Sequence, residues 1–278
     1  MKALYSGILC IGWSCYAFSA TAQAPQLSFR ITDSSALKAR QVYTDPSGNL
    51  YWINLQGVFF KKDLQADSLY QYTNWSAGIP DQADVSNPLR ILLFYANTGR
   101  IQFLSRWLTS QYVLDLKAQG FLQPAAMALS YDNQIWVYDA RNGTLKKISP
   151  DGNLLLQSAP FNQLMPGLLQ PTRIIDRHQQ VYLYDPRRGI AVYDELANFK
   201  TWIPVENSQS FAVTDEFLFV LKADSLYVFQ PPFGQWPGMP LPAYIKPRDI
   251  AASPDNHHLW LLGAHALYTL QLSVVSNN

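Results

Sequence analysis

An all-β propeller of six blades is the fold class this sequence predicts, and two observations predict it. Six short runs of aliphatic and aromatic residues recur about 42 residues apart, the period of propeller repeats. They read NLYWIN (49–54), RIQFLS (100–105), QIWVYD (134–139), QVYLYD (180–185), FLFVLK (217–222) and HLWLLG (258–263). Each run follows a turn and leads through a second turn into another apolar strand. One such unit cannot bury its own apolar faces. Radial stacking as four-stranded blades buries them and leaves only short, protected edges.

The elements follow in order. LSFRIT (27–32) precedes the first repeat and has no blade of its own. The first repeat reads RQVYTD (40–45), a Pro46-Ser47-Gly48 turn, NLYWIN, then VFFKK (58–62) and SLYQYT (68–73). In the second, RILLFY (90–95) is taken as the innermost strand, with Asn97-Thr98-Gly99 turning into RIQFLS; an alternative register makes 92–95 the second strand. The third repeat gives MALSYD (127–132), QIWVYD, TLKKIS (144–149) and LLLQSA (154–159). The fourth has Ile174-Ile175-Asp176, QVYLYD, 190–193 and 199–204. In the fifth, the proline-rich PPFGQWPGMPLP (231–242) cannot make a full ladder, so a ragged outer edge is expected. The sixth ends at LYTLQLS (267–273) without a fourth strand, and 27–32 supplies it, closing the ring and removing open sheet edges. Trp52, Trp136, Tyr182 and Trp260 on second strands are assigned to the core, and Asp45, Asp132, Asp176, Asp215 and Asp255 to turn caps.

Residues 1–22 read as a secretory signal peptide: Lys2, an apolar stretch over 4–18 and Ala20-Thr21-Ala22 before the cleavage point. Gly12-Trp13-Ser14-Cys15 is a poor lipid-attachment sequence. The apolar run is too short for a membrane span. Residues 23–278 then form one propeller domain outside the cytoplasm, in the periplasm, at the cell surface or in the medium. Both cysteines, Cys10 and Cys15, fall in the signal, which leaves no disulfide or thiol chemistry. Basic and acidic residues number 21 and 20, and removal of Lys2 balances them. That balance argues against a nucleic-acid partner.

The repeat pattern resembles the NHL, TolB-like and gluconolactonase-like six-bladed propellers over the whole of 23–278. The resemblance implies that loops joining one blade to the next, with the turns between second and third strands, surround the channel on the ligand-binding face. Those segments are 74–87, 117–123, 161–170, 205–210 and 239–248, with turns 139–144, 185–189 and 263–266. Gluconolactonase-like members hold a divalent metal through Glu, Asn and Asp. No residue-by-residue match to that set is present, and Arg40 stands where the first acid is expected.

Arginine recurs near the start of four inner strands, at Arg40, Arg90, Arg173 and Arg248, and homologous positions in a ring point at one channel mouth. Arg141, Arg187 and Arg188 lie on turns of the same face. Planar guanidinium forks suit carboxylates and phosphates. The competing assignment pairs each arginine with an acid or carbonyl between blades. Trp75, Phe161 and Tyr244 are loop aromatics suited to stacking on a sugar or anchoring a partner, and Trp236 lies in the proline-rich stretch. His257-His258 occupies a turn on the opposite face and is read as solvated. No nucleophile elbow, phosphate loop or zinc motif is present, and no motif implies a cofactor.

The expected function is a non-catalytic exported propeller that holds a protein or envelope component of acidic character, as a monomer or as an accessory subunit of an envelope assembly or secretion system. The alternatives are a metal-dependent lactonase or related hydrolase, and a carbohydrate-binding propeller. Secreted protein is expected to begin at Gln23 and to contain no thiol. Intact mass and N-terminal sequencing check this, and retention of 1–22 or a lipid adduct on Cys15 contradicts it.

Overall fold

The computed structural model describes residues 26–230, 234–235, 238–253, 255 and 257–275. The segment read as a signal peptide and Trp236 lie outside these residues. The strands are β1 (Gln26–Ala36), β2 (Ala39–Thr44), β3 (Leu50–Asn54), β4 (Phe59–Asp63), β5 (Ser68–Tyr72), β6 (Gln82–Asp84), β7 (Ile91–Tyr95), β8 (Arg100–Leu104), β9 (Ser110–Asp115), β10 (Pro124–Leu129), β11 (Ile135–Asp139), β12 (Thr144–Ile148) and β13 (Leu154–Gln157). A single helical turn, α1 (Phe161–Leu164), precedes β14 (Arg173–Arg177), β15 (Gln180–Asp185), β16 (Gly189–Asp194) and β17 (Phe199–Pro204). Then come β18 (Ser210–Val213), β19 (Leu218–Lys222), β20 (Ser225–Gln230), β21 (Gly234–Gln235), β22 (Met239–Pro240), β23 (Asp249–Ala252), β24 (His258–Leu262) and β25 (Ala266–Val275).

These form six antiparallel sheets. Blades 1 to 4 run in chain order from the channel outward: β2–β5, β6–β9, β10–β13 and β14–β17. Blade 5 is β18, β19 and β20 with an outer edge split between β21 and β22, both paired to β20, as the prolines require. Blade 6 is β23, β24 and β25, completed by β1, which pairs β25 from Gln26↔Val275 to Ala36↔Ala266 with one bulge. The first and last described strands therefore share one sheet, with β1 as its outermost strand.

Blade 2 departs from the preferred register. Ile91–Tyr95 is the second strand and Arg100–Leu104 the third, so the alternative placement is the one adopted. The inner strand is the three-residue Gln82–Asp84, inside the segment 74–87 read as a loop. A strand this short and polar carries no periodic apolar signal. The five residues of β7 are all buried because both faces of the blade are covered. Ile91 and Leu93 pack toward blade 1, Leu92 and Phe94 toward blade 3.

That alternation builds the core throughout. Each of six apolar clusters sits between two adjacent blades, not at one molecular centre. Trp136 and Tyr182 are buried in them as expected, whereas Trp52 and Trp260 are half-buried against the cluster joining blades 6 and 1. At one corner the packing demands glycine. Gly189 adopts φ +137°, and a Cβ there would lie 2.2 Å from the Ile203 carbonyl oxygen.

β1 contributes buried Leu27 and part-buried Phe29 and Ile31 to the cluster between blades 5 and 6. Deleting residues 23–33 is expected to cost on the order of 4 kcal/mol in lost burial and to expose the edge of β25. A melting curve and a sedimentation profile check this; unchanged stability and solubility would show that the strand does not close the ring.

Candidate functional site

Six inner strands deliver side chains to the central channel. These strands have ladder partners only on their outward side, so their remaining N–H and C=O groups face inward. Polar side chains from neighbouring inner strands meet them. Gln82 accepts from Met127 N–H (3.2 Å) and donates to Met127 O (2.6 Å). Tyr43 Oη accepts from Ala83 N–H (3.0 Å). Asp249 Oδ2 accepts from Val42 N–H (2.8 Å) and Asp84 Oδ2 from Leu129 N–H (2.9 Å). Asp176 accepts from Ser130 Oγ (2.8 Å) and the Trp136 indole N–H (2.9 Å). Burial outweighs these donors and pushes the carboxyls of Asp84 and Asp176 above the usual range. Burial likewise pushes Tyr43 up to about 12.

Arg173 crosses this channel. Its guanidinium, contributed by blade 4, lies 3.3 Å from Asp249 Oδ1 in blade 6 and 3.3 Å from the Val42 carbonyl in blade 1, and 4.7 Å from the Tyr43 ring. Ser210 Oγ of blade 5 donates to the same Asp249 oxygen. Burial works against the charge, but Asp249 and the surrounding oxygens hold Arg173 above its ordinary range. Below this belt is a chamber of about 300 Å³; above it the mouth opens as a polar depression of about 700 Å³. Gln41, Gln123, Gln170, Thr172, Lys117 and Arg187 line the mouth.

The structure separates the arginines that the repeat pattern grouped. Arg90 precedes a second strand, not an inner one, so it lies on the opposite face and donates to the Asn133 carbonyl (3.3 Å). Arg173 is paired as described. Arg40 and Arg248 remain at the mouth side, exposed at the starts of the adjacent strands β2 and β23. Arg187 and Arg141 are exposed on their turns. Arg188 is a staple: it donates to Leu168 O (2.7 Å) and Pro166 O (2.6 Å) and lies over the rings of Phe161 and Trp202.

Trp75 and Tyr244 are exposed, at 73% and 67%, on loops of the mouth face. Phe161 is not available to a ligand. It opens α1, is 1% exposed and packs in the core between blades 3 and 4, because a loop crossing two blades must bury its own anchor. Among the proposed turn caps, Asp45, Asp132 and Asp255 do cap their turns. Asp176 instead reaches blade 3; Asp215 pairs with Arg177 (2.7 Å) of the neighbouring blade. His258 meets Asp255 (2.5 Å) in its turn.

Sequence reasoning missed two lysines. Lys38-Ala39-Arg40 and Lys246-Pro247-Arg248 repeat one basic spacing where the chain enters the inner strands of adjacent blades, and all four cations are exposed. Among the described residues none of the four has a carboxylate within ion-pair distance. Among the described residues no three His, Cys, Asp or Glu side chains are grouped to hold a metal ion, and no helix is long and apolar enough to cross a membrane.

The fold and channel define a six-bladed β-propeller. No family model and no curated protein sequence matches the chain. Solved structures do. Virginiamycin B lyase from Staphylococcus aureus superposes with a TM-score of 0.63 at 12% identity, covering 88% of this chain and 99% of that one. The β-propeller domain of Cps50 (Swd1) from Myceliophteria thermophila gives 0.65 at 10% identity over 88% and 100%. The WD40 domain of Neurospora crassa Pan2 gives 0.60 at 9% over 90% and 96%. At such identities the likeness is one of fold.

Replacing Arg173 by alanine is expected to cost about 3–5 kcal/mol, since it strands the buried Asp249 charge. Denaturant unfolding measures it. Loss of Asp249 as well, in R173A/D249N, should recover part of that cost, and a single variant as stable as the native chain would refute the belt.

Proposed function

We propose that this protein is an exported, non-catalytic propeller that holds an acidic protein or envelope component on its mouth face. The observation that carries this reading is the exposed basic rim: Lys38 and Arg40 of blade 1 beside Lys246 and Arg248 of blade 6, unmatched by carboxylates among the described residues. Lys117 and Arg187 stand at the polar depression nearby. The two acids of that depression are already engaged, Asp185 by Gln170 N–H (2.9 Å) and Arg187 N–H (3.0 Å), Asp81 by Ala96 N–H (2.8 Å). They serve the loops, and the cations are left for a partner.

Arginine forks and lysine ammoniums on a polar, open surface favour a carboxylate-rich protein face or an anionic envelope polymer, and they raise encounter rates through long-range attraction. Exposed Trp75 and Tyr244 add aromatic anchors at the periphery of the same face. Export rests on Lys2 and the apolar stretch that follows it.

The test is capture of partners from the organism's own envelope fraction by the mature protein. Reversing charge in R40E/R248E is expected to abolish capture while the melting temperature stays within a few degrees, because both side chains are solvated. Raising ionic strength from about 0.05 to about 0.5 M should weaken capture by the native chain, as screening shortens to a few ångströms. Capture indifferent to both changes would sink the acidic-partner reading.

A further inference from the structure

Blades 1 and 3 carry a lysine at the same position, and only one of them has its acid. Tyr51 pairs Lys61 across β3 and β4 as Trp136 pairs Lys147 across β11 and β12. The turns that lead into β3 and β11 also correspond. Asp45 N–H donates to Asn49 O as Ser130 N–H does to Gln134 O, and Gly48 and Asn133 N–H both close back at 2.9 Å. Both turns place a left-handed residue at the same step, Gly48 at φ +83° and Asn133 at φ +61°. Ser47 therefore stands where Asp132 stands in blade 3.

In blade 3 the buried Lys147 ammonium meets Asp132 at 2.7 Å, with the rings of Tyr131 and Trp136 at 5.0 Å. In blade 1 the Lys61 ammonium keeps the aromatic setting, between Tyr51 at 5.8 Å and Tyr70 at 5.7 Å, but loses the carboxylate. Lys61 is 5% exposed, and its hydrogen bond goes to the Arg106 carbonyl at 3.1 Å. An ammonium has three donors, and a buried charge without a counter-ion is costly. The acids of the two turns on either side accept other hydrogen bonds. Asp45 takes Ser47 N–H, Asn49 N–H and the Tyr51 hydroxyl. Asp63 caps its turn through Ala66 N–H (2.9 Å) and Gln65 N–H (3.1 Å); these bonds, with a smaller contribution from the Lys61 charge, hold its carboxyl below the usual range, but it makes no ion pair with the Lys61 ammonium.

Lys61 is not sealed in. It lines an open groove of about 390 Å³ between blades 1 and 2, on the face opposite the basic rim. The walls are Tyr70, Leu89 and Trp107, the last 54% exposed with the Arg106 guanidinium stacked 4.0 Å from its ring. Ser47 and Gln65 add hydroxyl and amide groups.

We propose that this groove binds a hexuronic acid, free or as the end of an acidic glycan, with the sugar carboxylate on Lys61 in the place that Asp132 takes beside Lys147. Aromatic walls stack on the ring's apolar face, while Ser47 and Gln65 meet its hydroxyls. The single charge follows from the setting. One carboxylate replaces one carboxylate, and the anionic Asp63 at the groove edge repels a dianion such as phosphate.

Titration calorimetry on the mature protein tests this with glucuronate, glucose and inorganic phosphate, and an oligouronide separates the free acid from a glycan end. Glucuronate or the oligouronide is expected to bind one to one, at least tenfold more tightly than glucose or phosphate. The deciding variant is Ser47→Asp, which restores the missing acid in a turn that accepts it in blade 3. It should abolish binding and raise the melting temperature. Lys61→Met should abolish binding as well. The proposal is overturned if neither uronate binds, if glucose or phosphate binds as well as they do, or if S47D binds unchanged.

Discussion

The inward edge of the innermost strands is the constraint on which the rest of this molecule depends. A blade supplies hydrogen-bond partners to β2, β6, β10, β14, β18 and β23 from one side only. Each backbone group left unpaired in a closed channel would cost about 1–3 kcal/mol. An apolar lining, which suits the spaces between blades, would leave all of them unpaired. Polar side chains reach into the channel among the apolar ones for that reason. Gln82, Asp84, Tyr43, Asp176 and Asp249 each answer a backbone or side-chain group of a neighbouring blade, so the belt that satisfies the strands also ties the blades together.

This use of the channel governs where binding can occur. Arg173 is a buried cation near the axis, and its fork is divided between Asp249 and carbonyl oxygens of two blades. A ligand competing for it would have to break contacts in three blades at once. Groups that hold the ring together are poor candidates for capture, whereas the rim cations and the Lys61 groove carry charge that the ring does not use. That division is the reason binding is proposed for the two faces and not for the axis.

Much of the fold was legible because burial on both faces of a blade writes continuous apolar runs into the second strands, and because Gly and Pro mark the turns. Blade 2 was misread for a physical reason. Its inner strand is three residues, Gln-Ala-Asp, held by the belt instead of by apolar periodicity, so RILLFY was promoted into its place. One local signal sets the register: Ala96-Asn97-Thr98-Gly99 matches Ala140-Arg141-Asn142-Gly143, and both glycine N–H groups close on the strand end at 2.8 Å. The error carried Arg90 to the wrong face. Of the candidate site, the exposed Arg40, Arg248, Arg187, Trp75 and Tyr244 were legible as loop-face residues. Arg173 and Phe161 were not separable from them, since only packing tells a paired guanidinium or an anchoring ring from a free one.

Repeats offer a further kind of information that single sites lack. Six copies of one unit are solved under the same constraint, so a position satisfied internally in one blade and not in another marks a difference the fold itself does not require. Lys147 with Asp132 is a complete unit: charge, counter-charge and aromatic flank. Lys61 with Ser47 keeps the costly part and drops the compensating part, beside an open groove with an exposed tryptophan. Stability alone would favour the reverse, either both partners or neither. A lysine retained without its acid is therefore explained more simply by an anion that arrives from outside than by packing within the blade.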